Sequence, residues 1–123
     1  MTSRFQVFHL GDARLRWRLV AGNNKVLGKG SREHGDVPSV RAELEQVRAA
    51  AREGATGLHR TAQGWTWSLV AAAETLATSS RAFQRRTEAE LSATRFCTLA
   101  HGADVQSVVA VYPGAESRRR LRR

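Results

Sequence analysis

A chain of 123 residues has room for one domain or two very small ones, and 41% hydrophobic with 7% aromatic residues suffices for a core, so wholesale disorder is excluded. No run approaches the ~18 consecutive apolar residues that span a bilayer, the N-terminal MTSRFQVFHLGDAR has no secretory apolar stretch, and a lone Cys97 excludes an internal disulfide or a cysteine-cluster metal site. The charge is lopsided at 20 Lys+Arg against 11 Asp+Glu, a net +9 that points toward nucleic acid or an anionic membrane surface.

Two features temper that charge. The last six residues, RRRLRR, hold five arginines, so residues 1–117 carry 15 basic and 11 acidic groups, or +4. Only Lys25 and Lys29 are lysines, and so much arginine beside abundant alanine is also what GC-rich coding produces. The expectation is a cytoplasmic protein without membrane insertion.

In chain order, Phe5–Leu10 and Leu15–Val20 are rich in aromatic and branched residues and read as strands, with Gly11-Asp12 as the turn between them. Gly22-Asn23-Asn24 is a second turn, and Lys25–Gly30 a shorter third strand. The glycines of GNNKVLGKG, residues 22–30, only resemble a phosphate loop: five residues separate Gly22 from Gly28-Lys29, where four are needed, and Gly30 stands where Ser or Thr should. Near Pro38 the period changes. Val40, Leu44, Val47 and Ala51 form one helical stripe, Asp36 or Ser39 is placed to cap its start, and Gly54 stops it.

The second half follows the same plan, with strands at Leu58–Ala62, Trp65–Val70 and Thr75–Ser79 and a helix from about Arg86 to Ala100. A last apolar run, Val105–Tyr112, reads as a final strand ended by Pro113-Gly114. The correspondence extends to letters. RWRLVA, from Arg16, returns as TWSLVA, from Thr66; Phe8-His9 matches Leu58-His59, Leu27 matches Leu76, and Ser31-Arg32 matches Ser80-Arg81. After a two-residue gap, Ala42-Glu43-Leu44 and Arg48 match Ala89-Glu90-Leu91 and Arg95, which leaves Thr94 and Thr98 where Val47 and Ala51 stand. Halves of about 50 residues are too small to bury a strong core alone, so two contributing to one sheet is the economical solution.

Alternation along the strands assigns faces. Trp17, Leu19, Trp65, Trp67 and Leu69 are expected in the core under the helices, with Leu44, Val47 and Leu91. Arg16 and Arg18 then point to the opposite face, where the second half has Thr66 and Ser68.

These residues resemble a known family, the YegP-like proteins. Its repeats run roughly W-x-W/F-x-L-x-A-x-N-G, followed by a helix close to I-E-S-V-K-x-N-A. The strand part is met by Trp17-Arg18-Leu19-Val20-Ala21-Gly22-Asn23 and by Trp65-Thr66-Trp67-Ser68-Leu69-Val70-Ala71, the helix part by Leu44–Ala51. The usual Asn-Gly turn is Asn23-Asn24 in the first copy and Ala72-Ala73 in the second. The resemblance implies an α+β fold of tandem duplicated β-β-β-α-β units forming one antiparallel sheet, with two helices packed on one face and exchanged terminal strands. On that plan residues 1–113 are one domain with repeats at about 4–56 and 57–112, Leu58–Ala62 closes the first unit while opening the second, and 114–123 is a disordered basic tail. The resemblance supplies no active site.

Functional residues are therefore sought in the charge. Arg16 and Arg18, with Arg118, Arg119, Arg120, Arg122 and Arg123 of the tail, are the candidate nucleic-acid contacts, against the alternative of a merely solvated face and tail. The three tryptophans are either core or base-stacking platforms, and alternation with leucine favours core. The open face or an edge, with Val20 and Val70, is the alternative surface for a homodimer or another protein partner. His9 and His59 lack a further metal ligand, His34, Asp36 and Ser31 lack a triad signature, and Cys97 beside Phe96 reads as buried and inert. The expectation is a non-enzymatic protein with no cofactor, no metal and no small-molecule substrate.

Overall fold

The structure, a computed structural model, describes residues 3–10 and 14–106. Its strands are β1 (Arg4–His9), β2 (Leu15–Val20), β3 (Val26–Gly30), β4 (Thr56–Thr61), β5 (Gly64–Ala71), β6 (Glu74–Ser79) and β7 (Asp104–Val105), and its helices α1 (Val37–Glu53) and α2 (Arg86–His101). All seven strands lie in one sheet of order β4-β5-β6-β3-β2-β1-β7. Neither helix is long and apolar enough to cross a membrane.

The sheet is mixed, which corrects the all-antiparallel expectation: β7 runs parallel to β1, with Arg4 opposite Asp104 and Phe5 opposite Val105. The cause is where α2 ends. Ser3 Oγ donates to the Leu99 carbonyl at 3.3 Å, so the chain leaves α2 beside the start of β1 and can only run along it in the same direction. A second correction concerns β4, which pairs with β5 alone at the far edge and does not close the first half. The halves meet at the β3–β6 ladder, Gly28 to Ser79, Lys29 to Thr78 and Gly30 to Ala77. The remainder of the expected last strand and the whole basic tail lie outside the described residues.

Both helices lie on one face. On α1, Val40, Leu44, Val47, Ala50 and Ala51 are buried; Asp36 caps it by accepting from the Ser39 amide at 2.8 Å, and Gly54 ends it in the left-handed region. On α2 the buried positions are Ala89, Ala93, Phe96 and Ala100, while Leu91 is 71% exposed, so its expected place in the core is wrong. The matching Ala-Glu-Leu letters lie two residues out of phase. At 3.6 residues per turn that is roughly a 200° rotation, enough to turn Leu91 to solvent. In position, Ala93 and not Leu91 corresponds to Leu44, and Phe96 and Ala100, not Thr94 and Thr98, take the places of Val47 and Ala51.

Trp17, Trp67, Leu19 and Leu69 are fully buried. Phe96 links the two indoles, at centroid distances of 6.4 Å to Trp17 and 4.8 Å to Trp67, and Phe5 meets Trp17 edge-on at 5.5 Å. Trp65 departs from expectation and lies outside the core. It is half-buried at the rim, where Arg60 of β4 and Arg86 at the start of α2 cover its ring at 5.9 and 5.6 Å. Its backbone bridges to Phe83, as that of Leu15 does to His34.

The β5–β6 hairpin turns on Ala72 and Ala73 at φ 51° and 66°, a left-handed conformation that costs an L-residue with a Cβ ~1–2 kcal/mol. Replacing the pair by Asn-Gly should therefore raise the unfolding free energy by about 1 kcal/mol after the entropy added to the unfolded chain, read from denaturant midpoints. The core makes a contrasting demand at β3. A methyl group on Gly30 would meet Trp17 Cε2 at 2.8 Å, so Gly30→Ala should cost ~1–3 kcal/mol, whereas Leu91→Gln should stay within about 0.5 kcal/mol of the parent.

Candidate nucleic-acid interface

Because Trp17 and Leu19 face the helices, Arg16 and Arg18 of β2 face the other way. Register extends that face across the sheet. Gln6 lies opposite Arg18, Arg18 opposite Lys29, Lys29 opposite Thr78, Thr78 opposite Ser68 and Ser68 opposite Gly57. Arg4 shares the face from β1. The result is lopsided, with Arg4, Arg16, Arg18 and Lys29 on the first half and the hydroxyls of Thr66, Ser68 and Thr78 on the second.

The cations are held differently. Arg18 lies flat, its Nε donating to Gln6 Oε1 at 2.8 Å and its guanidinium 5.1 Å from the Phe8 ring centroid. Burial draws its pKa below the ordinary arginine value, and Arg4 lowers it further. Arg4 donates to Asn24 Oδ1 at 2.7 Å. The Nε of Arg16 is buried with no hydrogen-bond acceptor, and Lys29 is exposed. None of the four forms an ion pair among the described residues; Asp104, opposite Arg4 in register, is the acidic residue at the edge of this face.

Trp17 and Trp67 are fully buried and Phe8 nearly so, which removes these three as stacking platforms of the kind single-strand binders use, while Trp65 is half-buried at the rim. Val20 is also buried and Val70 half-buried, and Leu91, on a helix, is the exposed large hydrophobic residue among those described, so this face offers little apolar area to a partner. His59 is bound to Ser68, Nε2 to Oγ, at 2.8 Å. Cys97 is half-buried, and burial raises its thiol pKa and disfavours the thiolate. Among the described residues no group of three or more His, Cys, Asp or Glu is positioned to hold a metal ion.

The polar centre that sequence reading missed is Glu43, 3% exposed. Its Oε2 accepts the Trp17 indole N–H at 2.7 Å and His34 Nε2 at 3.1 Å, so that ring nitrogen carries the proton; its Oε1 accepts Arg32 Nε at 3.0 Å and pairs with the neighbouring guanidinium nitrogen at 2.9 Å. Arg32 reaches on to Glu74 at 3.3 Å, and the Glu43 bond holds its pKa above the ordinary value. On the Arg32 side, a raised pKa contributes stability that is fully present below the ordinary arginine value and is lost only as the pH rises above it, outside the neutral range. The available signal was phase: Glu43 falls between Val40 and Leu44 on the inward stripe. With four donors on two oxygens the carboxylate is saturated.

The fold defined by these observations is an α+β one, a mixed seven-stranded sheet with two helices on one face and a basic opposite face. It is that of the protein of unknown function yegP from E. coli, whose structure superposes with a TM-score of 0.78 at 17% identity over 90% of this chain and 97% of that one. The UPF0339 protein SO3888 from Shewanella oneidensis superposes with a TM-score of 0.75 at 13% identity over 86% and 91%. At such identities the likeness shows the fold, and that fold is YegP-like. No protein-family model and no curated protein matches the chain.

Removing the Glu43 carboxylate strands the buried Trp17 N–H and the His34 N–H. Glu43→Ala should cost ~2–4 kcal/mol, and Glu43→Ala with Arg32→Ala should cost about 0.5–3 kcal/mol less than the sum of the single changes, because both remove one interaction. Chemical unfolding of the four proteins measures it.

Proposed function

We propose that the protein is non-enzymatic and associates weakly, without sequence preference, with nucleic acid through Arg16, Arg18 and their neighbours Arg4 and Lys29, aided by Arg118, Arg119, Arg120, Arg122 and Arg123 of the tail. The carrying observation is that four cations share one sheet face without an ionic partner among the described residues. Phosphates are the ligand groups that such a face attracts, and with no exposed aromatic ring on it, binding comes from charge and falls steeply with salt.

We also read the two halves as copies of one β-β-β-α unit. The register shift between Leu19 and Val20 recurs between Leu69 and Val70, and the paired indoles and bridges to the following loop recur with it. On that reading the cationic face belongs to the first copy alone. The alternative, a homo-oligomer, would use the exposed edge of β4, where His59, Arg60 and Thr61 are accessible.

Fluorescence anisotropy with duplex DNA and with RNA, at low and moderate salt, tests the proposal on the full chain, on residues 1–117 and on the triple variant Arg16→Gln, Arg18→Gln, Lys29→Gln. Binding at low salt that falls with salt is expected, with a smaller salt slope in the variant, by roughly one unit per phosphate contact removed. No binding at low salt rejects the reading, and loss with the tail alone confines it there. Light scattering in the same buffers reports dimers.

A further inference from the structure

Beside the turn that leads into each helix lies an open depression, and the two have opposite charge. The first, about 400 Å3, contains Arg32, His34, Glu43 and Gln46; the second, about 500 Å3, contains Arg81, Phe83, Ser92 and Arg95 at the corresponding positions. The correspondence is fixed by contacts, since Trp17 donates to Glu43 as Trp67 donates to Ser92, and His34 bridges to Leu15 as Phe83 bridges to Trp65. The hairpin of the opposite half completes each. Glu74 reaches Arg32 in the first, and Lys25, which precedes Val26 as Glu74 precedes Thr75, lines the second.

The same arginine therefore has two environments. Arg32 is neutralised by Glu43 and Glu74. Around Arg81 those positions are Ser92 and Lys25, and the position of Gln46 is Arg95. No acidic residue lines the second depression, and Arg81, Arg95 and Lys25 make no ion pair among the described residues. Two details prepare it for an anion. The Arg81 guanidinium stacks on Phe83 at 4.5 Å, which restricts its orientation. Ser92 Oγ accepts the Trp67 indole N–H at 2.9 Å, which leaves its own O–H to donate elsewhere.

We propose that this depression binds a phosphate group, carried by a small phosphomonoester or as the free ion. Three cations and a hydroxyl donor suit a group that brings nearly two negative charges and three acceptor oxygens, and about 500 Å3 admits the ester's organic part. The site is separate from the cationic sheet face and does not rest on the nucleic-acid reading.

The test is a titration of the full chain at low ionic strength with phenyl phosphate and with inorganic phosphate, followed by backbone amide NMR. Saturable shifts are expected at Lys25, Ser80 to Phe83, Ser92 and Arg95. Ser92→Glu supplies the carboxylate of the first depression and still accepts from Trp67, so the fold should persist while the Kd rises about tenfold or more. If that variant does not fold, Arg81→Gln should weaken binding by a similar factor. Tighter binding of phenyl phosphate than of inorganic phosphate assigns the ligand as an ester, and the reverse order assigns the free ion; either supports the site. No saturable shift with either phosphate, unchanged affinity in a folded Ser92→Glu or Arg81→Gln, or shifts confined to Arg4, Arg18 and Lys29 overturns it.

Discussion

Everything in this molecule is arranged around a strand that is bare at two positions beneath the helices. The central strand β3 carries Gly28 and Gly30 on the face beneath the helices, and a Cβ at Gly28 would meet both Phe96 and Trp67 at 2.8 Å. Because those positions are bare, three large rings can lie across the middle of the sheet. Phe96 of the second half touches the tryptophan of each half, so neither half has a complete core alone. The three-residue ladder between β3 and β6 is a short seam for joining two sheets. The aromatic cluster above it supplies the area, and with it most of the hydrophobic stabilisation that a seam of backbone hydrogen bonds would lack.

Burying an indole creates a second requirement, because its N–H must find an acceptor. The halves meet it differently, and the difference spreads outward. A carboxylate at residue 43 satisfies Trp17 but introduces a buried negative charge, which Arg32 then neutralises while the His34 N–H adds a hydrogen bond. A hydroxyl at residue 92 satisfies Trp67 without adding charge, and the arginine that follows β6 is left without a carboxylate. A choice of acceptor for one N–H, made inside the core, thus contributes to the charge of a surface depression on each side of the molecule, together with Glu74 or Lys25 and Gln46 or Arg95.

Much of this was legible in the sequence because two periods are hard to imitate. The alternation in LRWRLV and GWTWSLVA located β2 and β5 and assigned Arg16 and Arg18 to the face away from the helices, and the stripe from Val40 to Ala51 located α1. The failures came where letters replaced geometry. Matching Ala-Glu-Leu in both helices put Leu91 in the core, although phase counted back from Phe96 selects Ala93 and Ala89. Composition made Trp65 look like its neighbour Trp67, but a strand can extend beyond the start of the helix that covers it, and its first residues then lie at the rim. The direction of β7 depends on where α2 ends in space, which no local pattern records. Glu43 was missed because a glutamate on a helix is normally solvated, and only its phase within the apolar stripe separates it from Glu45.

The faces of the sheet obey different constraints, and this explains why likeness and difference between the halves separate so cleanly. Toward the helices, each ring is fixed by contacts with both halves, so a change of volume on one side is felt on the other. Away from the helices, the register sets Arg18 opposite Lys29 in the first half and Ser68 opposite Thr78 in the second. Yet placing like charges directly opposite each other is unfavourable. Arg18 lies beside Lys29 with no carboxylate between them, and its charge is further disfavoured by partial burial and by Arg4. Folding alone gives no reason to gather cations there. An external anion would relieve that repulsion, which makes the unshared face the part of the sheet whose chemistry is least explained by stability.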